Sequence, residues 1–568
     1  MSFSLSPFPP PDRLNTPGLE ITATMSSQGL LYVAMRPNEG LSLDQFHDWY
    51  NNEHGPTRVG RLPQIFPNGL RYQATDGADP PFLAIYDVKH MPDLLTPVYT
   101  SLRDNRTPRE AETIGQVKVD RRFYDFVDSK AAPDFSPIEE ATDAEAEGTV
   151  LIAVEITLKN VEGAEAAYTQ WMQSEHIDML SRVPGWRRSR LFRTSTLEKA
   201  GETKVLALHD YAKKNGLGGP EHKASMDTPK RTEVFDKYVQ DKHRRTFALF
   251  YTFGAGPRDL SSLSRRPADA EFVSTGTKET APLDATITVP GANASISSSV
   301  TTPDGLTTPY TLEGNPAPDA PVVAFCNSLL TSKHMWDPFV TILKSKRPDL
   351  KILRYDTRGR HAIPQPPHPV TLKLAASDLR HLLDSLRIPK LHALIGVSMG
   401  GAATLRFALD YPDRLGKFIA CDFNVTSSAA NTEAWKERTA LAESENGKGI
   451  EKLASVTVSR WFHPDTVSKK PEVTEWMTRM VATNHIEGFR YGCQALWDYD
   501  LKPEMGGCKV PGLLVVGEAD GKGALVKAMD GFSGLLANGQ GLKIVPDAGH
   551  LPMSENPEGY WEAVKDFL

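Results

Sequence analysis

The stretch His392-Ala393-Leu394-Ile395-Gly396-Val397-Ser398-Met399-Gly400-Gly401-Ala402-Ala403 limits the folds open to this chain more than any other. A segment that reads as a buried strand runs into Gly-x-Ser-x-Gly and then directly into a helical segment, Thr404 to Asp410. So sharp a turn from strand to helix brings backbone against backbone, and the positions flanking the serine have no room for side chains. The same turn lifts the serine hydroxyl above the sheet at a helix N-terminus. An isolated five-residue match would mean little. With the strand and helix that the turn requires on either side, Ser398 becomes a candidate nucleophile.

A serine nucleophile needs a base, and the base needs an acid to orient it. On such a sheet they follow in the chain order Ser, Asp, His. Val510 to Gly517 reads as a buried strand and is followed by the polar loop Glu518-Ala519-Asp520; Leu542 to Val545 reads as the next, followed by Pro546-Asp547-Ala548-Gly549-His550. Asp520 and His550 therefore stand on loops past strand ends, where the sites of open α/β sheets collect. Asp422, after the strand Phe418-Ile419-Ala420-Cys421, is the rival acid. Acyl transfer also needs oxyanion donors. The Met399 N–H supplies one, and the loop after Val322-Val323-Ala324-Phe325-Cys326 supplies the other at Leu329. Asp356-Thr357-Arg358-Gly359-Arg360-His361 reads as a turn that supports this loop.

Asn327-Ser328-Leu329, His334-Met335-Trp336-Asp337 and the Gly396–Gly401 turn together resemble the 3-oxoadipate enol-lactonases of the α/β-hydrolase fold. Trp435-Lys436-Glu437-Arg438, Arg460-Trp461-Phe462-His463-Pro464 and Gly488 to Leu496 read like the helical cap of that family, placed here at about 426–505. The resemblance covers about residues 284–568. It implies lactone hydrolysis by Ser398, Asp520 and His550 with Leu329 and Met399 as oxyanion donors, and no cofactor or metal. Asn327, Trp336, Arg438 and Trp461 become the candidate substrate contacts, with Arg460 and Arg490 as further cap cations. Similar elbows serve C–C bond hydrolases and perhydrolases, which are the alternative chemistries. One departure stands out: Leu330 follows Leu329 where that family usually has glycine.

The first half contains a repeat. Trp49-Tyr50-Asn51-Asn52-Glu53-His54 returns as Trp171-Met172-Gln173-Ser174-Glu175-His176, and Leu83-Ala84-Ile85-Tyr86-Asp87 returns as Leu206-Ala207-Leu208-His209-Asp210. Each copy reads strand, helix, strand, strand, helix, strand, with the second helices expected over 92–110 and 227–242. That is a ferredoxin-like order, whose open sheet face needs a partner. Two copies can supply it to one another as an intramolecular α/β barrel. The pattern resembles the dimeric α/β-barrel superfamily, in particular its EthD-like members. His54 and His176 are the candidate acid–base residues there, against the plainer reading of helix-end histidines. The resulting layout is a leader at 1–28, repeats at 29–128 and 148–254 joined by 129–147, a linker or surface-wrapping segment at 255–283, and the second domain at 284–568. The first half is then either a second catalytic unit or a binding and assembly module.

Composition excludes other classes. The 64 basic residues against 71 acidic ones give a net charge of −7, which argues against a nucleic-acid partner. Four scattered cysteines fit free thiols in a reducing compartment. No stretch has the length of apolar residues that a membrane span needs, and the Ser- and Pro-rich start does not read as a signal peptide. The expectation is a cytoplasmic enzyme with a small-molecule substrate, compatible with a homo-oligomer.

Overall fold

The computed structural model describes residues 27–198, 204–269, 272–274, 285–444 and 448–568. Most of the expected leader and the smaller part of the expected 255–283 linker lie outside them.

Eight strands of the first half close into a barrel: β1 (Gly29–Pro37), β2 (Leu70–Ala74), β3 (Phe82–Val88), β4 (Val117–Ala131), β5 (Val150–Leu158), β6 (Trp186–Thr194), β7 (Lys204–Tyr211) and β8 (Val239–Thr252). The order around the barrel is β1-β3-β2-β8-β5-β7-β6-β4, and every pairing is antiparallel. Each repeat contributes a run of four strands in the order fourth, first, third, second. The two runs join through β2–β8 and β4–β6, so no edge is left unpaired. One face of the strands fills the interior with Leu30, Tyr72, Leu83, Leu151, Phe192 and Phe247; the other packs under helices.

The second helices depart from expectation. In the first repeat the segment divides into Met91–Leu95, Pro97–Asp104 and Pro108–Ile114, each with a proline in its first turn, where a helix tolerates it. In the second, the helix is Pro229–Tyr238, and Lys242 lies on β8, because Val239 already pairs with Leu158. The Trp-x3-Glu-His motifs hold a shared feature: Tyr50–His54 and Met172–His176 are both π-helical turns. Such widenings gather at functional sites.

The second half carries a ten-stranded sheet in the order β18-β17-β16-β15-β13-β14-β12-β11-β10-β9. Its six parallel strands are β13 (Val322–Cys326), β14 (Lys351–Tyr355), β15 (Leu391–Val397), β16 (Leu415–Cys421), β17 (Gly512–Gly517) and β18 (Gly539–Val545). Antiparallel β12 (Thr307–Gly314), β11 (Ser295–Thr301), β10 (Thr286–Val289) and β9 (Phe272–Ser274) extend one edge. This is an alpha/beta hydrolase fold. The central strands are buried along nearly their whole length, as helices on both faces demand. Between β16 and β17 the chain leaves the sheet for a helical insert that includes Ala429–Glu443, Gly449–Trp461, Pro471–Ala482 and Ile486–Cys493.

The halves are fastened together. Leu260 and Leu263 of the connecting segment join the core of the second half, while Arg266 reaches back to pair with Asp48 in the first. Arg387 binds the Asp143 carboxylate and the carbonyls of Glu139 and Ala141. Among the described residues, no helix is long and apolar enough to cross a membrane.

Candidate active site

Five of the parallel strands deliver one candidate each to the same end of the sheet. Leu329 follows β13, Ser398 follows β15, Asp422 follows β16, Asp520 follows β17 and His550 follows β18. Loops at these carboxyl ends bound a cavity of about 430 Å³, lined by Leu329, Ser398, Met399, Asp422, Asp520 and His550 from the sheet side.

Ser398 sits at φ 58° and ψ −121°, the strained conformation the turn imposes on a residue with a side chain. Its N–H bonds the Cys421 carbonyl at 2.9 Å, which anchors the turn to the neighbouring strand. The need for glycine is direct: a Cβ on Gly400 would stand 2.1 Å from the Cys326 carbonyl oxygen. Met399 is the first residue of the helix that follows, so its N–H has no partner within the helix.

His550 Nδ1 lies 2.7 Å from Asp520 Oδ2. The rest of the histidine's setting is equally fixed. Its N–H bonds the Trp461 carbonyl at 2.7 Å, and the Trp461 ring lies over the imidazole at 5.6 Å between centroids. A Cβ on Gly549 would fall 2.0 Å from that same carbonyl oxygen, so glycine permits the approach. Behind it, Glu555 accepts the Gly549 N–H at 2.9 Å and the His463 N–H at 2.7 Å. Ser398 and His550 face the same cavity with no hydrogen bond between them in this structure. Apo catalytic contacts are often longer than their working length.

Asp422, the rival acid, is fully buried beside Asp520, its Oδ1 accepting the Gly517 N–H at 2.8 Å. Burial, followed by the neighbouring Asp520 charge, pushes its carboxyl well above the ordinary range. Asp422 is thus the member of the pair that burial drives toward its neutral form, and the carboxyl in contact with the imidazole is Asp520.

Two expected substrate contacts do not reach the cavity. Asn327 and Trp336 are fully buried and bond to one another, Trp336 Nε1 to Asn327 Oδ1 at 2.9 Å. Asn327 Nδ2 continues to the Tyr355 carbonyl at 2.8 Å. Together with Asp356, which accepts the Lys333 N–H at 2.6 Å, they hold the Leu329 loop from beneath. The buried asparagine must satisfy its own amide, and backbone and indole do so more fully than a transient ligand would. Leu330 explains the departure at its position. It adopts φ 72°, the left-handed conformation that favours glycine, and its carbonyl accepts the Asn484 Nδ2 hydrogen at 2.7 Å from the helical insert.

Arg438 and Trp461 do line the cavity, and so does Arg460. Arg438 stacks on Trp435 at 4.3 Å, and among the described residues no carboxylate pairs with Arg438 or Arg460. Burial lowers both guanidiniums' pKa. Arg490 is elsewhere, next to Glu443 at 3.4 Å. In the barrel, His54 Nδ1 meets Glu110 Oε1 at 2.8 Å, whereas His176 Nδ1 has no partner. Glu110, Glu555 and the π turns carry no sequence signature of their own.

Residues 323–563 match a family described as the alpha/beta hydrolase family. 3-Oxoadipate enol-lactonase 2 of Acinetobacter baylyi is 30% identical over 202 residues, which cover 36% of this chain and 72% of that protein. 3-Oxoadipate enol-lactonase 1 of the same organism is 29% identical over 254 residues, 44% of this chain and 89% of that one. Among solved structures, the enol-lactonase from Burkholderia xenovorans LB400 is 29% identical with a TM-score of 0.41, covering 46% of this chain and 96% of its own.

Proposed function

Through its C-terminal half the chain belongs to the alpha/beta hydrolase family and is an ester- or lactone-hydrolysing enzyme, and from that premise we propose that it cleaves a lactone bearing an anionic group, through an acyl-enzyme on Ser398. The observation that carries this reading is the 2.7 Å Asp520–His550 contact at the cavity into which the strained Ser398 projects. His550 Nε2 accepts the Ser398 proton as Oγ attacks the carbonyl carbon. The carbonyl oxygen, now negative, settles on the N–H groups of Leu329 and Met399. His550 returns the proton to the departing ring oxygen, and a water activated by the same nitrogen then releases the acid. Asp520 fixes the ring with Nδ1–H toward itself and stabilises the imidazolium. Losing one oxyanion donor typically costs about 2.7–4 kcal/mol, which gives the buried Asn327–Trp336 support beneath Leu329 its importance.

The anionic group follows from Arg438 and Arg460, two cations in a cavity wall without a carboxylate partner among the described residues. The lactone class rests on the two enol-lactonases to which the chain is similar. Purified full-length protein is assayed against a panel of enol-lactones and simple esters, with and without Ser398→Ala. The expected result is turnover of at least one lactone by the native chain and a loss of about 10⁴-fold or more in kcat in the variant. Retention of activity in Ser398→Ala overturns the mechanism.

For the first half, we read the barrel as two fused ferredoxin-like repeats akin to the EthD-like dimeric α/β barrels. The fourth-first-third-second strand run within each repeat supports this.

A further inference from the structure

The two repeats of the barrel share a framework and differ at its centre. In the first, Thr107 caps the helix Pro108–Ile114 through the Glu110 N–H and donates its hydroxyl to Glu53. In the second, Thr228 caps Pro229–Tyr238 through the Arg231 N–H and donates its hydroxyl to Glu175 at 2.6 Å. Glu53 and Glu175 are the glutamates of the two Trp-x3-Glu-His motifs, so Glu110 and Arg231 hold the same place in the two copies.

What they do there is opposite. Glu110 receives His54 Nδ1 at 2.8 Å and Trp49 Nε1 at 2.6 Å, closing the first repeat on itself. In the second repeat a cation stands where that carboxylate stood. His176 stacks on Trp171 at 4.6 Å, as His54 packs on Trp49 at 4.8 Å, but its Nδ1 is buried with no partner. The ring is 93% buried, the Ser225 backbone being its other polar neighbour. A small cavity of about 40 Å³ opens there, lined by His176, His209, His222, Arg231, Lys242 and Arg244 among aromatic and aliphatic walls, with no carboxylate in the lining. Among the described residues, none of the three cations forms an ion pair. His209 is held from behind by Ser189 Oγ at 2.8 Å from Nδ1, which fixes its ring in the wall.

We infer that the second repeat is a binding site for the carboxylate of a small organic acid, whose head group occupies the place that the Glu110 carboxylate fills in the first. The cavity holds a head group of that size, and Lys242 and Arg244, both exposed, flank the opening through which the rest of the molecule extends. Arg231 supplies the charge and His176 Nδ1–H the donor that its counterpart gives Glu110, whereas Trp171 Nε1 is already donated to Glu175 Oε1 at 3.3 Å. Burial, reinforced by His209, Arg231 and Lys242, holds the His176 pKa down to about 3, so the ring meets its ligand as a neutral donor. The site lies outside the hydrolase cavity and needs none of its residues.

Benzoate is the probe, titrated calorimetrically into the full-length protein. Saturable binding to one site is expected, weakened about tenfold or more by Arg231→Glu, because the introduced carboxylate then binds His176 as Glu110 binds His54. Arg231→Met, which removes the charge without filling the site, is expected to weaken it by a similar factor. Arg438→Met, in the hydrolase cavity, leaves this site unchanged. Esterase turnover and circular dichroism report that each Arg231 variant is folded; if Arg231→Glu is not, Arg231→Met decides. No saturable binding to the native chain, or equal binding by a folded Arg231 variant, overturns the proposal, and so does loss of binding in Arg438→Met with none in the Arg231 variants.

Discussion

Buried carboxylates meet different partners in the barrel and around the hydrolase cavity. In the barrel they meet cations or a ring N–H. Asp48 lies between Arg109 at 2.7 Å and Arg266 at 2.5 Å, and Glu110 faces His54. Burial works to raise Glu110, but His54, Arg58 and the Trp49 N–H outweigh it and hold the acid down to about 2. His54 itself is lowered to about 4, first by burial, so the contact is a neutral imidazole N–H donated to a carboxylate. Around the hydrolase cavity the buried acids meet N–H dipoles and one another. Asp422 has Gly517 and Asp520, and Glu555 has the backbones of His463 and Gly549; both are shifted upward. A charge neutralised by a fixed cation is a structural part, indifferent to ordinary pH. A carboxyl set among dipoles can gain or lose its proton under working conditions, and only the second arrangement is useful beside a reacting centre.

The largest test of that contrast lies within the carboxyl pair. Asp520→Asn removes the charge facing His550 and fixes the wrong tautomer, and kcat on the best ester or lactone substrate is expected to fall about 10⁴-fold. Asp422→Asn replaces a carboxyl that burial drives toward its neutral form with its closest neutral isostere, and is expected to stay within about tenfold of native. The reverse ranking would transfer the orienting role to Asp422. In the barrel, Asp48→Asn removes the carboxylate that two buried guanidiniums share, Arg109 keeping Glu53 at 3.5 Å. The expected cost is about 3–5 kcal/mol, read as a lower urea midpoint for the barrel's unfolding. Ester turnover under native conditions is expected to persist. A loss under 1 kcal/mol would mean that the barrel charges are solvated after all.

Local pattern reached some of this molecule and missed the rest for physical reasons. The turn at Ser398 was readable because strand, glycines and helix are contiguous, and the steric demand at Gly400 acts on immediate neighbours. The meeting of Asp520 with His550 followed from chain order along parallel strands. Asn327 and Trp336 were misread as substrate contacts because a motif says which loop a residue occupies and not which way it points; their mutual hydrogen bond turns both inward. Pairing across the barrel, not helix propensity, ended the helix at Tyr238 and drew Lys242 into β8. Leu330 was visible only as a departure from a glycine, and its φ of 72° supplies the reason the glycine is usual. Glu110 and Arg231 carry opposite charges at equivalent positions, an equivalence that only the paired Thr107 and Thr228 caps bring into register.

The smallest effect separates the two kinds of burial by pH. Glu555 is raised to about 7, chiefly by burial, against the lowering pull of the His463 and Gly549 N–H groups. A carboxyl whose folded pKa lies above its unfolded value binds its proton more tightly in the folded state. Its contribution is therefore complete below about pH 4.5 and is lost as pH rises through about 7. The shift corresponds to an upper bound of about 3 kcal/mol, since each unit is worth about 1.4. Glu555→Gln has no such proton to lose. The stability difference between native protein and this variant, measured by urea unfolding of the hydrolase half, is expected to move by about 2–3 kcal/mol against the native chain between pH 5 and pH 8. The acid-to-amide change at Glu110 is the control: with its pKa near 2, that difference stays flat over the same interval. A flat Glu555 difference would place a cation or water beside the acid and erase the distinction between the halves. A sloped one also bears on activity, because Glu555 ties the Gly549 N–H to the insert, and these N–H bonds tighten on the carboxylate as it ionises.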